Sequence, residues 1–404
     1  MTNELDFIFS EVDKPQYMVI WDLGRRCNFD CTYCTAWMHS TSAPFNNFEQ
    51  YKKTANFIHE YYSIYKEHHK KHFKIKISFT GGEPAINPAF YKLVPYLREN
   101  FEYIDLNLTT NGAWSKRRGQ FLLDHMNSIT VSYHTEGTKE QKELVRDNIL
   151  FAKDKLRVNV MMHVDHFDEC VDLIENFLKP NQIKFIPRII GDDGMYKNWW
   201  FKDDDGQLRR TTHVYSDEQL SYLRDHWNEK NKEVSNQAPI LKRTGDNTGF
   251  GRNMGRMCCG GRCMTIKEPG ENVRDSMFIE QSNFKDYNCM INWFFLHIEE
   301  DRDAVYHHQT CMGRLEGSPF PEMKPELEEK YGHLFRPEKG PICSISKSDS
   351  YLTWLRNEFA KGRTPIMKCP NIHCGCGICI PKAKEYKVMK NIADRYVKVG
   401  NVLS

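Results

Sequence analysis

Residues Trp21–Ser40 read WDLGRRCNFDCTYCTAWMHS, and within them Cys27, Cys31 and Cys34 stand at the spacing C-x3-C-x2-C. They follow a short apolar run, Tyr17–Trp21, of β-like character. Three thiols this close in a loop are poorly placed for packing, and crowded thiolates are metal ligands. Zinc loops usually pair one C-x2-C with a second pair elsewhere, whereas iron–sulfur clusters use runs of thiolates at unequal short spacings. Three cysteines on a four-iron cluster leave one iron without a protein ligand. An open metal position is where a substrate or cofactor binds, as it is in catalytic rather than structural zinc sites.

Composition frames this loop. A chain of 404 residues has room for one large domain and a smaller one. Hydrophobic content of 40% and aromatic content of 13% support a real core. The 56 basic and 54 acidic residues leave a net charge of +2, so there is no overall pull toward nucleic acid or an anionic membrane. The opening MTNELDFIFSEVDK lacks a basic-then-apolar signal, and no run approaches the length of a membrane span, so the expected address is the cytoplasm. Fourteen cysteines in such a chain point to metal ligands in a reducing compartment rather than to disulfides.

Strand-like and helix-like periods alternate through the first half. Strands are expected at 17–23, 75–80, 104–109, 129–133, 158–164 and 183–190. Helices are expected at 48–65, 88–100, 116–125, 139–155, 168–178 and 217–233. Phe48, Tyr51, Ala55, Ile58, Tyr62 and Tyr65 mark one face of the first helix. Six βα units with right-handed crossovers wind into a parallel sheet that curls toward a barrel, a partial (β/α)6 TIM-like α/β architecture. Its chemistry belongs at the C-terminal ends of the strands.

Glycine-bearing and polar segments follow those ends. After the second strand comes Thr80-Gly81-Gly82-Glu83-Pro84, where the glycines permit backbone conformations closed to other residues and let a ligand approach, and proline fixes the exit. After the third comes Thr109-Thr110-Asn111-Gly112, and after the fourth Ser132-Tyr133-His134-Thr135-Glu136. The cysteine loop resembles that of the radical S-adenosylmethionine (radical SAM) enzymes, and the partial barrel is the fold this resemblance implies. In that family the open iron of a [4Fe–4S] cluster chelates SAM, whose reductive cleavage to methionine and a 5′-deoxyadenosyl radical leads to hydrogen abstraction from substrate. The resemblance implies Cys27, Cys31 and Cys34 as cluster ligands and Tyr33 beside the adenine. Gly81, Gly82, Glu83 and Pro84 look like the family's GGEP motif, which meets the SAM amino group, as a carboxylate with backbone carbonyls suits an amine. Thr110 and Asn111 resemble its TNG segment, and Ser132 matches its SAM ribose or carboxylate contact. His134 departs from the usual small or acidic residue there, and a packing histidine and a SAM or substrate contact both stand open for it. Asn159, Met161 and His163 alternate toward one face of the fifth strand as filling of the barrel interior.

Other polar stretches carry plainer readings. Lys66–Lys74 reads as a solvated helix end. Asp203–Asp205, after Trp199 and Trp200, reads as an exposed loop whose aromatic pair lies at the end of the barrel where lids form.

The periodicity breaks in a Pro/Gly/Asn-bearing connector, Ser235–Gly251, which sets a boundary between residues 1–235 and 236–404. Ten of the fourteen cysteines lie beyond it. Ile291–Ile298 and Ala304–Gln309, joined by the acidic Glu299–Asp303, read as a β-hairpin bracketed by cysteines. The tail adds Cys369, Cys374, Cys376 and Cys379 at the spacing C-x4-C-x-C-x2-C. This resembles the SPASM or twitch extension of radical SAM enzymes, though the full SPASM run is C-x2-C-x5-C-x3-C. It implies one auxiliary [4Fe–4S] cluster, with cysteines enough for a second, on Cys311, Cys376 and Cys379 first and then on Cys259, Cys289, Cys374 and Cys369. A zinc ribbon suits the same C-x2-C pair. Cys170 reads as a small apolar residue on an amphipathic helix, Cys343 as a loop residue, and Ala383–Val397 as a closing helix.

The resemblance implies an enzyme that reduces SAM with an electron from a ferredoxin or flavodoxin and takes hydrogen from an unactivated C–H bond, an auxiliary cluster assisting. The residues before Cys27 are too few for a fused leader-recognition domain, which leaves a separately presented peptide or a small polar natural product as substrate. The expectation leans to the peptide, with a sugar or nucleoside dehydrogenase or epimerase as the alternative. A zinc-binding adaptor is the alternative of another class, against which stand the charge balance, the lack of aromatic–basic stripes and the GGEP turn.

Overall fold

The computed structural model describes residues 16–34, 39–69, 74–190, 200–202, 208–210, 215–223, 225–226, 265–266, 288–289, 295–308, 312–370, 382–383 and 386–387. Six strands, β1 (Gln16–Asp22), β2 (Lys74–Thr80), β3 (Ile104–Thr110), β4 (Ser128–Tyr133), β5 (Leu156–Met162) and β6 (Phe185–Ile189), lie in chain order with every neighbouring pair parallel. Between them run α1 (Phe48–His69), α2 (Phe90–Asn100), α3 (Lys116–His125), α4 (Lys139–Phe151) and α5 (Phe167–Asp172). This is the parallel sheet of a partial barrel, as the periodicity of the sequence indicated. Helix α5 gives way after Asp172 to a π-helical stretch, Leu173–Leu178, where a single α-helix was expected.

Alternation along the strands decides which residues pack under helices. On β2 and β3, Ile75, Ile77, Phe79, Ile104, Leu106 and Leu108 are buried, while the residues between them are half-buried on the opposite face, toward the barrel interior. The helix-side rings meet aromatic partners. Tyr17 lies 6.0–6.3 Å from Tyr61, Tyr62 and Tyr65 of α1, and Phe79 lies 5.1 Å edge-on to Phe90 of α2. Each such side chain contributes roughly 1.5–3 kcal/mol by leaving water.

The expected hairpin forms from β7 (Phe295–Glu299) and β8 (Ala304–Tyr306), but it does not stand apart from the barrel. β7 pairs in parallel with β1, and β8 continues to β9 (Cys343–Ser344), so nine strands share one sheet. The free edge of β1 would otherwise leave a row of unpaired backbone groups, which β7 satisfies. Cys343 is thus a buried strand residue rather than a loop residue. A separate four-stranded sheet orders Met367–Lys368, Asn288–Cys289, Lys382–Ala383 and Thr265–Ile266. Cys289 opposes Met367 there, two residues before Cys369, and both thiols are buried. Asp203–Asp205, Trp199 and Cys258, Cys259, Cys263, Cys311, Cys374, Cys376 and Cys379 lie outside the described residues, as do residues 227–233 and most of the closing helix.

The turn between β7 and β8 grips the start of the cysteine loop. Glu300 accepts from the indole Nε1 of buried Trp21 at 2.8 Å. Asp301 accepts from the Arg25 backbone N–H at 2.9 Å and from the Asn46 amide at 2.7 Å. From the other side comes the β2 turn, whose Gly82 and Glu83 N–H groups donate to the carbonyls of Gly24 (2.7 Å) and Arg26 (2.8 Å). The two glycines are demanded by this approach of chain to chain. A Cβ on Gly81, at φ +119°, would meet Asp22 Oδ1 at 2.5 Å, and one on Gly82 would overlap the carbonyl oxygens of Arg25 and Arg26. Gly82→Ala is therefore expected to push the cysteine loop away, lowering Tm by at least ~2 °C and cutting iron uptake on reconstitution. Unchanged melting and iron content would show that the loop tolerates the methyl.

Candidate functional site

The cysteine loop leaves β1 and crosses the mouth of the barrel. Cys27 and Cys31 are buried and Cys34 is half-buried. The Cys27 N–H donates to Ser40 O (3.1 Å), the Cys34 N–H to Cys31 O (3.1 Å), and the Phe29 N–H to Cys27 Sγ (3.4 Å). Asn111 Nδ2 approaches the same sulfur at 3.9 Å and donates to Asn28 Oδ1 at 2.7 Å. Burial, then Glu83, pushes the Cys27 thiol up to about 11, and burial, then Cys34, Glu136 and Cys27, pushes Cys31 well above the usual thiol range. As bare thiolates these groups repel, and a cationic metal centre would supply the charge to hold them together.

Glu83 lies at the centre of the mouth with only 3% exposure. Its Oε1 accepts from Ala85 N–H (2.8 Å) and Thr110 Oγ1–H (2.7 Å), and its Oε2 from Asn111 N–H (2.5 Å). A carboxylate has about four lone-pair positions, so one on Oε2 is left for a further donor, which fits the amine of SAM. Thr110 and Asn111 hold this carboxylate, a more indirect part than the expected contact with cofactor. Pro84 is buried and opens the turn Pro84–Ile86, which Glu83 caps. Gly81 and Gly82 admit the cysteine loop itself, whereas the sequence reading had them admit a ligand.

Tyr33 and His134 act on one another. Their rings stack at 5.9 Å, and the Tyr33 hydroxyl is hydrogen-bonded to His134 Nδ1. Burial, then His39, lowers His134 to about 4, so it is neutral at pH 7 and holds Tyr33 in place. Glu136 ties the loop from the end of β4, accepting from Thr32 N–H (2.9 Å) and Oγ1–H (2.6 Å). His163 departs from its sequence reading. β5 ends at Met162, and the His163 ring stands at the mouth, 3.5 Å from Glu136 and 5.9 Å between centroids from Tyr33, rather than filling the interior below. Glu136 and Thr32 were not singled out in the sequence because only the fold brings these residues, 104 apart in the chain, together. Ser132 lies on the interior face of β4 opposite Asn159. Cys170 is buried, its Sγ 3.4 Å from Met161 O, a packing residue as expected.

Burial raises Glu83 from 4.5 to about 7, against the three donors, so the folded chain binds this proton more tightly than the unfolded one. The group's contribution to stability in the metal-free protein therefore falls as pH rises from about 4.5 through 7. Glu83→Gln turns an acceptor into a donor facing other donors, at a cost of roughly 1–3 kcal/mol. Its Tm should lie below that of the parent chain at pH 5, with the gap narrowing toward pH 8. A gap that widens with pH would contradict this placement of the carboxyl.

Comparison with known proteins places this geometry. Residues 21–174 match the family model of the Radical SAM superfamily. Among curated proteins, the GTP 3′,8-cyclase of Staphylococcus carnosus is 26% identical over 54% of this chain and 65% of its own length. That of Campylobacter lari is 30% identical over 40% of this chain and 52% of its own. The chain thus spans between 37% and 69% of the length of the curated relatives it matches here. Among solved structures, Streptococcus suis SuiB is 12% identical with a TM-score of 0.42, covering 80% of this chain and 65% of that one. Native anSMEcpe with bound AdoMet and Cp18Cys peptide is 15% identical with a TM-score of 0.41, covering 85% and 82%. Members of the superfamily use a [4Fe–4S] cluster and SAM. Residues 21–174, which carry the cysteine loop, the GGEP turn, the end of β1 and strands β2–β5, are thus similar to the radical SAM domain.

Proposed function

We propose that the chain is a radical SAM enzyme whose catalytic [4Fe–4S] cluster is held by Cys27, Cys31 and Cys34 and whose SAM lies against Glu83. The observation that carries this is the remaining acceptor position on a buried carboxylate fixed beside the three-cysteine loop. When bound, the cluster and SAM together supply reductive generation of a radical that removes hydrogen from an unactivated C–H bond. The protein's part is to hold and to shield. Trp21, Asp301, Gly82 and Glu83 fix the base of the loop, Tyr33 is braced by neutral His134, and Ser132 on the interior wall of β4 stands ready for a polar contact to SAM. The turn's backbone carbonyls and the Glu83 carboxylate suit the amine of SAM.

The electron comes from outside, delivered by a ferredoxin or flavodoxin. Cys289 and Cys369 at the small four-stranded sheet, together with Cys374, Cys376 and Cys379 of the tail sequence, are the proposed ligands of an auxiliary [4Fe–4S] cluster, in the part of residues 236–404 that does not join the barrel sheet. The meeting of Cys289 with the 367–369 segment supports this. The substrate is a peptide or a small polar molecule. The sequence relatives are by name cyclases of GTP, and the strand faces lining the barrel interior are polar, which favours the small molecule. No helix among the described residues is long and apolar enough to cross a membrane.

Anaerobic reconstitution followed by iron, sulfide and zinc analysis, with assay of 5′-deoxyadenosine and methionine under dithionite, tests the proposal. The parent chain should carry more than one cluster's iron and cleave SAM. The Cys27/Cys31/Cys34→Ala variant should lose one cluster's iron and all cleavage. Zinc alone in both proteins, with SAM intact, would sink the enzyme reading and leave the adaptor.

A further inference from the structure

The β2–β6 wall of the barrel interior is cationic, while Asp22 of β1 and Glu299 of β7 put carboxylates on the same face at the mouth end of the neighbouring strands. Strand register puts Lys74 and Lys76 of β2, Asp105 and Asn107 of β3, Thr130 of β4, Arg157 and Asn159 of β5 and Arg188 of β6 on one face. The only carboxylate on this face of β2–β6 is Asp105, and Lys74 already pairs with it at 2.7 Å. Arg157 and Arg188 are each braced through Nε, the first to Thr130 Oγ1 at 3.0 Å and the second to Asn159 Oδ1 at 3.3 Å. Bracing of that kind leaves the outer edge of the Arg157 guanidinium turned to a ligand.

Two cations and an amide on this face are donors in want of an acceptor. Among the described residues the Lys76 ammonium has no acceptor and no ion-pair partner, and the outer nitrogens of Arg157 have none. Asn107 Nδ2 is buried without an acceptor, its Oδ1 being taken by Ser128. Burial lowers Lys76, with Arg157 the next cause, and burial lowers Arg188, again with Arg157 next, so cations on β2 and β6 both feel the one on β5 across the chamber. Like charges gathered around a single carboxylate destabilise a fold unless a ligand answers them.

We propose that the barrel interior is a binding site for a phosphoryl group, with Lys76, Arg157, Arg188 and the Asn107 amide as its donors, and that the substrate is a phosphorylated small molecule. A single carboxylate would bring one charge and answer one guanidinium. A phosphoryl group brings about −1.5 to −2 and three acceptor oxygens, matching cations that converge from three strands. The inference rests on the radical SAM reading for the interior's role as substrate chamber, because substrate must lie below SAM at the mouth.

The test needs neither cluster nor SAM, so its failure is separable from failure of the catalytic reading. The full chain is melted and titrated calorimetrically with orthophosphate, pyrophosphate and hexaglutamate at constant ionic strength. Pyrophosphate or orthophosphate should raise Tm, the better of the two showing whether a diphosphate or a monophosphate is taken. Lys76→Met and Arg157→Met should melt at or above the parent temperature in the absence of anion yet bind at least tenfold more weakly, while Lys76→Arg retains binding. Equal shifts in parent and Met variants would overturn the site, and protection by hexaglutamate alone would assign it to an acidic peptide.

Discussion

One buried carboxylate joins the three loops that make the mouth of this barrel. Glu83 follows β2, takes two of its hydrogen bonds from the end of β3, and through its own N–H binds the loop that follows β1. An ionised carboxyl without such partners would cost several kcal/mol to bury, so the partners and the carboxylate depend on one another. The cysteines sit on the loop so held, and their position is only as firm as this knot.

The knot is tightened from the far end of the chain. β7 completes the open edge of β1, and the acidic turn after it supplies Glu300 and Asp301 to Trp21, Arg25 and Asn46. A segment that could have been a separate module is in this way part of the wall around the site.

Much of this was legible in the sequence, because strand and helix periods are local. The six strands fell within two residues of their expected ends, and the aromatic stripe of α1 packs as its spacing indicated. What was not legible depends on contacts between distant residues. Glycines 81 and 82 announced a close approach without saying what approaches, and Asp301 lies 276 residues from the backbone it holds. His163 was misplaced by a single residue of strand length, enough to move it from interior to rim. Lys76, Arg157 and Arg188 are ordinary surface-type residues one by one and form a group only once the register has put them on one face.

The central claim is that Cys27, Cys31 and Cys34 hold a cluster with an iron open to SAM. EPR of the dithionite-reduced, anaerobically reconstituted chain, with and without SAM, tests it most directly when the triple cysteine variant is measured alongside. The account predicts a [4Fe–4S]⁺ signal that shifts when SAM is added and is missing from the variant, any auxiliary signal staying unmoved in both. Spectra that ignore SAM and are identical in the two proteins would contradict it.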